Sequence, residues 1–73
     1  MDTAAFLHLA HDLVDAEPGS LGLDDRLADI GWDSLSNVEF IAHVDLDHGV
    51  ALDASGLDAC TTLEDVLVLT RRP

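Results

Sequence analysis

The chain has 73 residues and a mass of 7.8 kDa, which is enough for one small domain, and we expect a single domain over residues 1–73. Fifteen Asp and Glu against three Arg and no Lys give a formal net charge of -12. This charge repels phosphate backbones and anionic lipid surfaces, so we exclude nucleic acid and the membrane as partners. The hydrophobic content of 48% is high enough for the chain to fold.

Cysteine use and the terminal segments bear on the cellular compartment. Cys60 is the only cysteine, so the chain forms no internal disulfide and no thiolate zinc site. The first 13 residues lack the basic region of a signal peptide, and the apolar run at 66–69 is far shorter than the roughly 20 residues that span a bilayer. We therefore expect a soluble, monomeric protein of the cytoplasm.

The first predicted helix begins at Asp2 or Thr3, either of which can serve as its N-cap. Its core face would comprise apolar residues at helical spacing, namely Phe6, Leu9, Ala10 and Leu13. The Glu-Pro-Gly run at 17–19 predicts its end, because the residue before proline disfavours the α conformation. Residues 20–32 have neither a strand nor a helix period, and they predict a loop held down by its leucines.

The second predicted helix spans residues 34–48. Asp33 is a favourable N-cap, and Gly49 is well placed as the left-handed residue after the last turn. Asp53 can cap a short helical turn that continues to Leu57.

The last predicted helix begins with a capping box in which Thr61 is the N-cap and Glu64 is the third helical residue, and it runs towards Thr70. Arg71 and Arg72 would lie at the negative end of its dipole. Its core face would comprise Leu63, Val66, Leu67 and Thr70. The predicted fold class is all-α, a small four-helix bundle of three main helices and one short helix.

The second helix has two apolar lines, since successive residues are rotated by about 100°. The first, which we assign to the core, comprises Val38, Ile41, Val44 and His48, with Phe40 on its flank. The second comprises Leu35, Ala42 and Leu46, with Glu39 among them. Either the 20–32 loop covers the second line, or this line is an exposed docking surface for partners.

Ser34 directly follows the predicted cap, where free backbone N–H groups and the helix dipole favour a phosphate. The position suits an attached phosphodiester. The sequence D-I-G-W-D-S-L at 29–35 resembles the D-[LI]-G-x-D-S-L signature of acyl carrier proteins. V-E-F-I at 38–41 resembles the family's V-E-L-[VI], and T-T-L at 61–63 resembles its T-T-V, so the resemblance covers nearly the whole chain.

The resemblance implies a non-catalytic carrier with 4'-phosphopantetheine on Ser34, attached by a phosphopantetheinyl transferase from coenzyme A in the presence of magnesium. The group would hold acyl intermediates as thioesters for partner enzymes. These are an acyltransferase or acyl-activating ligase, a ketosynthase and other pathway enzymes. Asp33 would help the transferase to hold the reacting serine. The family's partner-recognition positions correspond to Leu35, Glu39, Ala42, Asp45 and Leu46.

Three residues depart from the family pattern. His48 replaces the usual aromatic residue, and we favour a structural, hydrogen-bonded role for it over a pH switch. Leu46 replaces a frequent carboxylate, which predicts a less charged docking surface. Trp32 replaces a small residue, and it either packs on the loop, which we favour, or contacts the cofactor.

The remaining reactive residues have simpler interpretations. His8 and His11 lack a third ligand and are expected at the surface, and the glycine of the 45–49 segment is misplaced for a calcium loop, so we assign no metal. Cys60 is interpreted as a buried small hydrophobic residue. A serine hydrolase is excluded because G-x-S-x-G and a preceding strand are both missing. An interaction module whose serine is never modified stays open.

The composition and the residue before Ser34 bear on the cargo. Asp33 favours acyl cargo, since peptidyl carriers usually have glycine or histidine there. The lysine-free composition and the changes at Leu46 and His48 favour a discrete carrier of polyketide-type natural-product biosynthesis. The alternatives are an aminoacyl or peptidyl carrier of a nonribosomal-peptide or hybrid pathway and a housekeeping fatty-acid carrier.

Overall fold

The computed structural model describes residues 1–17 and 19–71. They form four α-helices, α1 (Thr3–Val14), α2 (Ser34–His48), α3 (Ala54–Asp58) and α4 (Leu63–Arg71), and a 3-10 turn at Leu27–Asp29. The described part contains no strand, only an isolated antiparallel bridge between Arg26 and Thr62. The predicted all-α bundle with one short helix is confirmed. No described helix combines the length and the apolar character needed to cross a membrane.

Helix α1 begins as predicted but ends earlier. The Asp2 carboxylate accepts a hydrogen bond from the Ala5 N–H at 2.7 Å, which makes Asp2 the N-cap. The helix stops where Asp15 adopts the left-handed conformation, with φ 54°, and its N–H donates to the His11 carbonyl. Aspartate tolerates this conformation better than most residues, so the helix ends before the predicted stop at 17–19. Pro18 of that prediction lies outside the described residues.

Helix α2 has the bounds that its capping residues predict. The Asp33 carboxylate accepts from the Ser36 N–H at 3.1 Å, and the Ser36 hydroxyl accepts from the Asp33 N–H at 3.3 Å. This reciprocal pair is a capping box. At the other end Gly49 has φ 65°, and its N–H donates to the Val44 carbonyl.

The buried face of α2 differs from the predicted one. Ser36, Asn37, Phe40 and Val44 are buried and Ile41 is half-buried. Two aromatic rings contact Phe40, Phe6 at a centroid distance of 5.8 Å and Trp32 at 5.5 Å, and they draw this face inward.

The predicted core positions of Val38 and His48 are therefore wrong. Val38 is 62% exposed and His48 is exposed at the end of the helix. The His48 side chain also makes no hydrogen bond to residues 1–17 and 19–71, so the structural role predicted for that side chain through a hydrogen bond is wrong.

The short helix α3 agrees with its prediction. The Asp53 carboxylate accepts from the Gly56 N–H at 2.7 Å and caps the helix. Leu57 is buried near its end.

The capping box of α4 lies one residue later than predicted. The Thr62 hydroxyl accepts from the Asp65 N–H at 3.3 Å, and the Asp65 carboxylate accepts from the N–H groups of Thr61 and Thr62. The Thr61–Glu64 assignment is wrong, because the Thr61 carbonyl accepts from the Leu27 N–H at 2.9 Å and holds Thr61 beside the connection. The predicted core face is confirmed, since Leu63, Val66, Leu67 and Thr70 are all buried.

Arg71, at the end of α4, forms hydrogen bonds to the N-terminal residues of the described chain. Its guanidinium donates to the Thr3 hydroxyl at 3.2 Å and to the Met1 carbonyl at 3.4 Å. Arg72, whose predicted position was the end of the same helix, lies outside the described residues.

The connection between α1 and α2 is fixed mainly by the start of α4. Leu63 N–H donates to the Asp25 carbonyl at 3.1 Å and Glu64 N–H to the Leu23 carbonyl at 2.9 Å. Leu27 and Trp32 are buried in the common core. The connection is therefore the predicted loop held down by apolar side chains, and it delivers the chain to the start of α2 in a defined position.

Candidate functional site

Ser34 is the first residue of α2, and its side chain is exposed. Its hydroxyl has no hydrogen-bond partner among the described residues of the chain. The helix start adds the positive end of the helix dipole. This arrangement presents a nucleophilic oxygen to solvent at a position that stabilises a phosphate.

Asp33 provides a carboxylate directly before Ser34. The hydrogen bond from the Ser36 N–H is the largest effect and lowers the pKa of Asp33 below its ordinary value. Desolvation opposes it, and hydrogen bonds from the Ser36 hydroxyl and the Leu35 N–H lower the pKa further. The group is exposed and ionised at neutral pH. It can therefore serve at once as helix cap and as a ligand for a cation that another protein brings to Ser34.

Trp32 anchors the backbone before this pair. Its side chain is only 7% exposed, its ring packs against Phe40 at an interplanar angle of 61°, and its indole N–H donates to the Asn37 Oδ1 at 2.6 Å. Gly31 permits the turn into this position, with φ 80°. Trp32 is a packing residue, as favoured from the sequence, but it packs in the core against Phe40 rather than on the loop alone.

A shallow depression of about 220 Å³ opens beside Ser34. Leu27 and Trp32 line it from the connection, Asn37 from α2, and Leu57, Asp58 and Cys60 from the end of α3. The Asn37 amide donates to the Asp58 carboxylate at 3.1 Å across it. An accessible hydroxyl on the rim of a partly polar depression fits a covalently attached, amide-containing arm such as 4'-phosphopantetheine.

The second apolar line of α2 is exposed. Leu35 is 63% exposed and Leu46 is 84% exposed, and Glu39, Ala42 and Asp45 are exposed as well. The alternative in which the 20–32 connection covers this line is wrong, because the connection packs against the start of α4.

Val38 extends the exposed line, and the sequence analysis missed it by assigning this residue to the core. The spacing of positions 35, 38, 42 and 46 was the available signal, since residues three and four apart share one helix face. We call this set of four residues the α2 stripe.

The histidines lie away from Ser34. His8, His43 and His48 line a cleft of about 350 Å³ between α1 and α2, together with Asp12 and Asp47. The described residues contain no group of three or more His, Cys, Asp or Glu side chains that could hold a metal ion.

His11 and Cys60 differ in part from their predictions. His11 is half-buried rather than on the surface, and its Nε2 accepts from the Gly19 N–H at 3.3 Å. Cys60 is half-buried against the core, with its Sγ 3.4 Å from the Gly56 carbonyl oxygen, so it is less buried than expected.

Comparison with known proteins identifies the family. The family model described as "Phosphopantetheine attachment site" matches residues 4–67. The chain belongs to this family, and the resemblance to acyl carrier proteins is confirmed. Its prosthetic group is 4'-phosphopantetheine, and domains of this kind are generally non-catalytic carriers. No curated protein and no solved structure matches the chain.

Proposed function

We propose that the protein is a discrete acyl carrier protein that holds acyl groups on a 4'-phosphopantetheine arm attached to Ser34 and delivers them to partner enzymes. One observation carries the proposal. The Ser34 hydroxyl is exposed and has no partner in the described chain, and it stands at the start of α2 inside the matched segment 4–67.

The residues around Ser34 have distinct roles in attachment. The Ser34 Oγ would form a bond to the pyrophosphate phosphorus of coenzyme A that bears the pantetheine arm. The phosphoanhydride bond would break, adenosine 3',5'-bisphosphate would leave, and the hydroxyl proton would pass to a base of the transferase. The start of α2 stabilises the resulting phosphodiester. The ionised Asp33 carboxylate would be available as an oxygen ligand for the magnesium ion of the transferase.

The attached group supplies the chemistry of the carrier. When bound, it provides a terminal thiol to which an acyl group is joined as a thioester. This chain contributes the position of the tether, because a cargo held at Ser34 reaches each docked enzyme at a high effective concentration.

The proposed partner surface consists of Leu35, Glu39, Ala42, Asp45 and Leu46, all of which are exposed on α2. The partners are the phosphopantetheinyl transferase, an acyltransferase or acyl-activating ligase, a ketosynthase and other enzymes of a polyketide-type pathway in the cytoplasm. The apolar Leu46, 84% exposed, supports partners with a matching apolar contact. The aminoacyl or peptidyl carrier and the housekeeping fatty-acid carrier are the alternatives.

Leu46→Glu tests this surface. We expect weaker acyl transfer with a partner enzyme and unchanged attachment at Ser34, because the added carboxylate must be desolvated in the complex. Val68→Glu is the matched control, since Val68 is an exposed apolar residue of α4, at 44% exposure, away from the α2 stripe. Equal loss of transfer and attachment in Leu46→Glu would contradict the assignment.

The experiment that tests the carrier function is intact-protein mass measurement after incubation with coenzyme A, magnesium and a broad-specificity phosphopantetheinyl transferase. We expect one added phosphopantetheine in the wild type and none in Ser34→Ala. Ser55→Ala is the matched control, because Ser55 is also an exposed serine in a helix that an aspartate caps. A folded wild type without added mass, beside a control carrier that is modified, would instead support the unmodified interaction module.

A further inference from the structure

A cleft of about 350 Å³ runs between α1 and the last turns of α2. Three histidines and two aspartates line it, namely His8 and Asp12 from α1 and His43, Asp47 and His48 from α2. Ala5 and Leu9 of α1 add apolar surface, and both are half-buried. The cleft therefore combines an apolar surface with five titratable side chains, and it shares no residue with the α2 stripe or with the depression beside Ser34.

The two carboxylates of this cleft have no permanent cation beside them. The arginines of the described chain, Arg26 and Arg71, do not line the cleft. Asp47 Oδ2 lies 3.7 Å from His43 Nδ1, a contact that becomes an ion pair only when His43 is protonated. With neutral histidines the cleft thus holds two uncompensated negative charges on a protein whose net charge is -12.

A guanidinium group suits this arrangement. Each helix contributes one exposed carboxylate, Asp12 from α1 and Asp47 from α2. A guanidinium is planar and has five N–H donors, so it can donate to carboxylates in two directions at once, whereas the ammonium of lysine is a compact point charge. The aliphatic part of an arginine side chain can pack on Leu9. The negative field of the whole protein attracts such a cation.

We propose that the cleft between α1 and α2 is a second docking site and that it accepts an arginine side chain of a partner enzyme. Helix α2 has 15 residues and is about 22 Å long, and a standard interface covers about 800 Å² on each partner. An enzyme that docks near Ser34 therefore reaches the cleft at the other end of the helix.

Histidine protonation switches the docking site off. With all three imidazoles charged, the five titratable side chains of the cleft have one net positive charge, which repels a guanidinium. Histidine changes its charge between about pH 5 and pH 8, so the site responds to pH in that range. The inference goes beyond the proposed carrier function, because no group at Ser34 takes part in it.

Binding is tested on the unmodified protein at about pH 7.5 with acetyl-arginine amide, whose guanidinium is its only charge. In NMR titrations we expect saturable shifts of the ring signals of His8, His43 and His48 and of the Leu9 methyl signals. Acetyl-citrulline amide, similar in shape but uncharged, should cause no such shifts, and acetyl-lysine amide should bind at least about twofold more weakly. Shifts spread evenly over the protein, or equal binding of the lysine probe, would overturn the proposal.

Two substitutions identify the carboxylates that hold the guanidinium. Asp12→Asn and Asp47→Asn should each raise the dissociation constant of acetyl-arginine amide about two- to fivefold, as expected for an exposed ion pair. Asp24→Asn is the matched control, because Asp24 is an exposed carboxylate of the connection outside the cleft. It should bind the probe like the wild type. An equal loss of affinity in Asp24→Asn would show only general attraction to the net charge and would overturn the proposal.

The switch is tested by repeating the titration at about pH 5.5, where the wild type should bind the probe at least about twofold more weakly. The triple variant His8→Gln, His43→Gln and His48→Gln should bind it equally at both pH values, since glutamine is polar and does not titrate. Unchanged binding by the wild type at the lower pH would overturn the switch. Failure of Ser34 to accept phosphopantetheine would refute the carrier function and would leave these binding measurements unaffected.

Discussion

The starts of α2 and α3 have the same capping arrangement. In each, an aspartate carboxylate accepts the backbone N–H three residues further on, Asp33 from Ser36 and Asp53 from Gly56, and this bond lowers the pKa of the aspartate. Each cap is followed closely by an exposed serine. The serines differ, because the Ser55 hydroxyl donates to Asp53 Oδ1 at 3.0 Å whereas the Ser34 hydroxyl has no partner in the described chain.

The two starts also differ in what supports them. Asp33 follows the buried Trp32 and opens a helix of 15 residues, whereas Asp53 opens a helix of five residues. A capped helix start therefore does not by itself distinguish the proposed attachment site from the start of α3. The proposed site at Ser34 also has an unengaged hydroxyl and an anchored backbone before it.

Removal of the Trp32 side chain, which anchors the backbone before α2, should have the largest effect on stability. Trp32→Ala removes a buried aromatic side chain and should cost about 3–5 kcal/mol of unfolding free energy. Because a core of this size supplies only about 3–5 kcal/mol, the variant should be largely unfolded at 25 °C by circular dichroism. Trp32→Phe, which keeps ring packing and loses the hydrogen bond to Asn37, should stay folded. A folded Trp32→Ala protein would show that the anchor is dispensable.

Removal of the caps should distinguish the two helix starts. Asp33→Ala and Asp53→Ala should each lower the melting temperature, because each leaves a backbone N–H without its acceptor. Only Asp33→Ala should also slow attachment at Ser34, measured as the rate of mass gain. Equal attachment rates in the two variants would remove the functional distinction between the starts.

Acid should weaken both starts. The pKa values of Asp33, Asp53 and Asp65 are lowered in the folded state, chiefly by hydrogen bonds from backbone N–H groups. Their contribution to stability is therefore fully present above the unfolded-state pKa and is lost as the pH falls through the lower, folded-state pKa. We expect the melting temperature to fall below about pH 4, and to fall less steeply in Asp53→Ala. An equally steep fall of the melting temperature with decreasing pH in the wild type and in Asp53→Ala would contradict this expectation.

Salt should have the smallest effect on the melting temperature, and this effect should not depend on which of the two helix starts carries a substitution. The net charge of -12 produces self-repulsion that ions screen, so 0.5 M sodium chloride, which shortens the screening length to about 4 Å, should raise the wild-type melting temperature by roughly a few degrees. A melting temperature independent of salt would show that the carboxylates are too dispersed to repel one another appreciably.

The bounds of α2 and α3 were predictable because capping is local. Asp33, Gly49 and Asp53 each act on backbone groups within a few residues, so their chemistry can be read from neighbouring positions. The exposed position of Ser34 at the start of α2 follows from the same local chemistry.

The buried face of α2 and the start of α4 depend on distant contacts. Periodicity offered two apolar lines, but burial follows the rings that pack on Phe40 and the hydrogen bonds that satisfy Asn37. Likewise, two adjacent threonines allow two capping registers, and the backbone bond from Leu27 to Thr61 decides between them. The Asn37–Asp58 bond spans 21 positions, and no local pattern indicates it.

The position of Trp32 has a spectroscopic consequence. The chain has one tryptophan and no tyrosine, so its near-ultraviolet absorption and its intrinsic fluorescence come almost entirely from this single indole. The indole lines the depression beside Ser34 and donates a hydrogen bond to Asn37 of α2. We therefore expect its emission wavelength to change when a group is attached at the proposed site, so that attachment can be followed in real time on unlabelled protein.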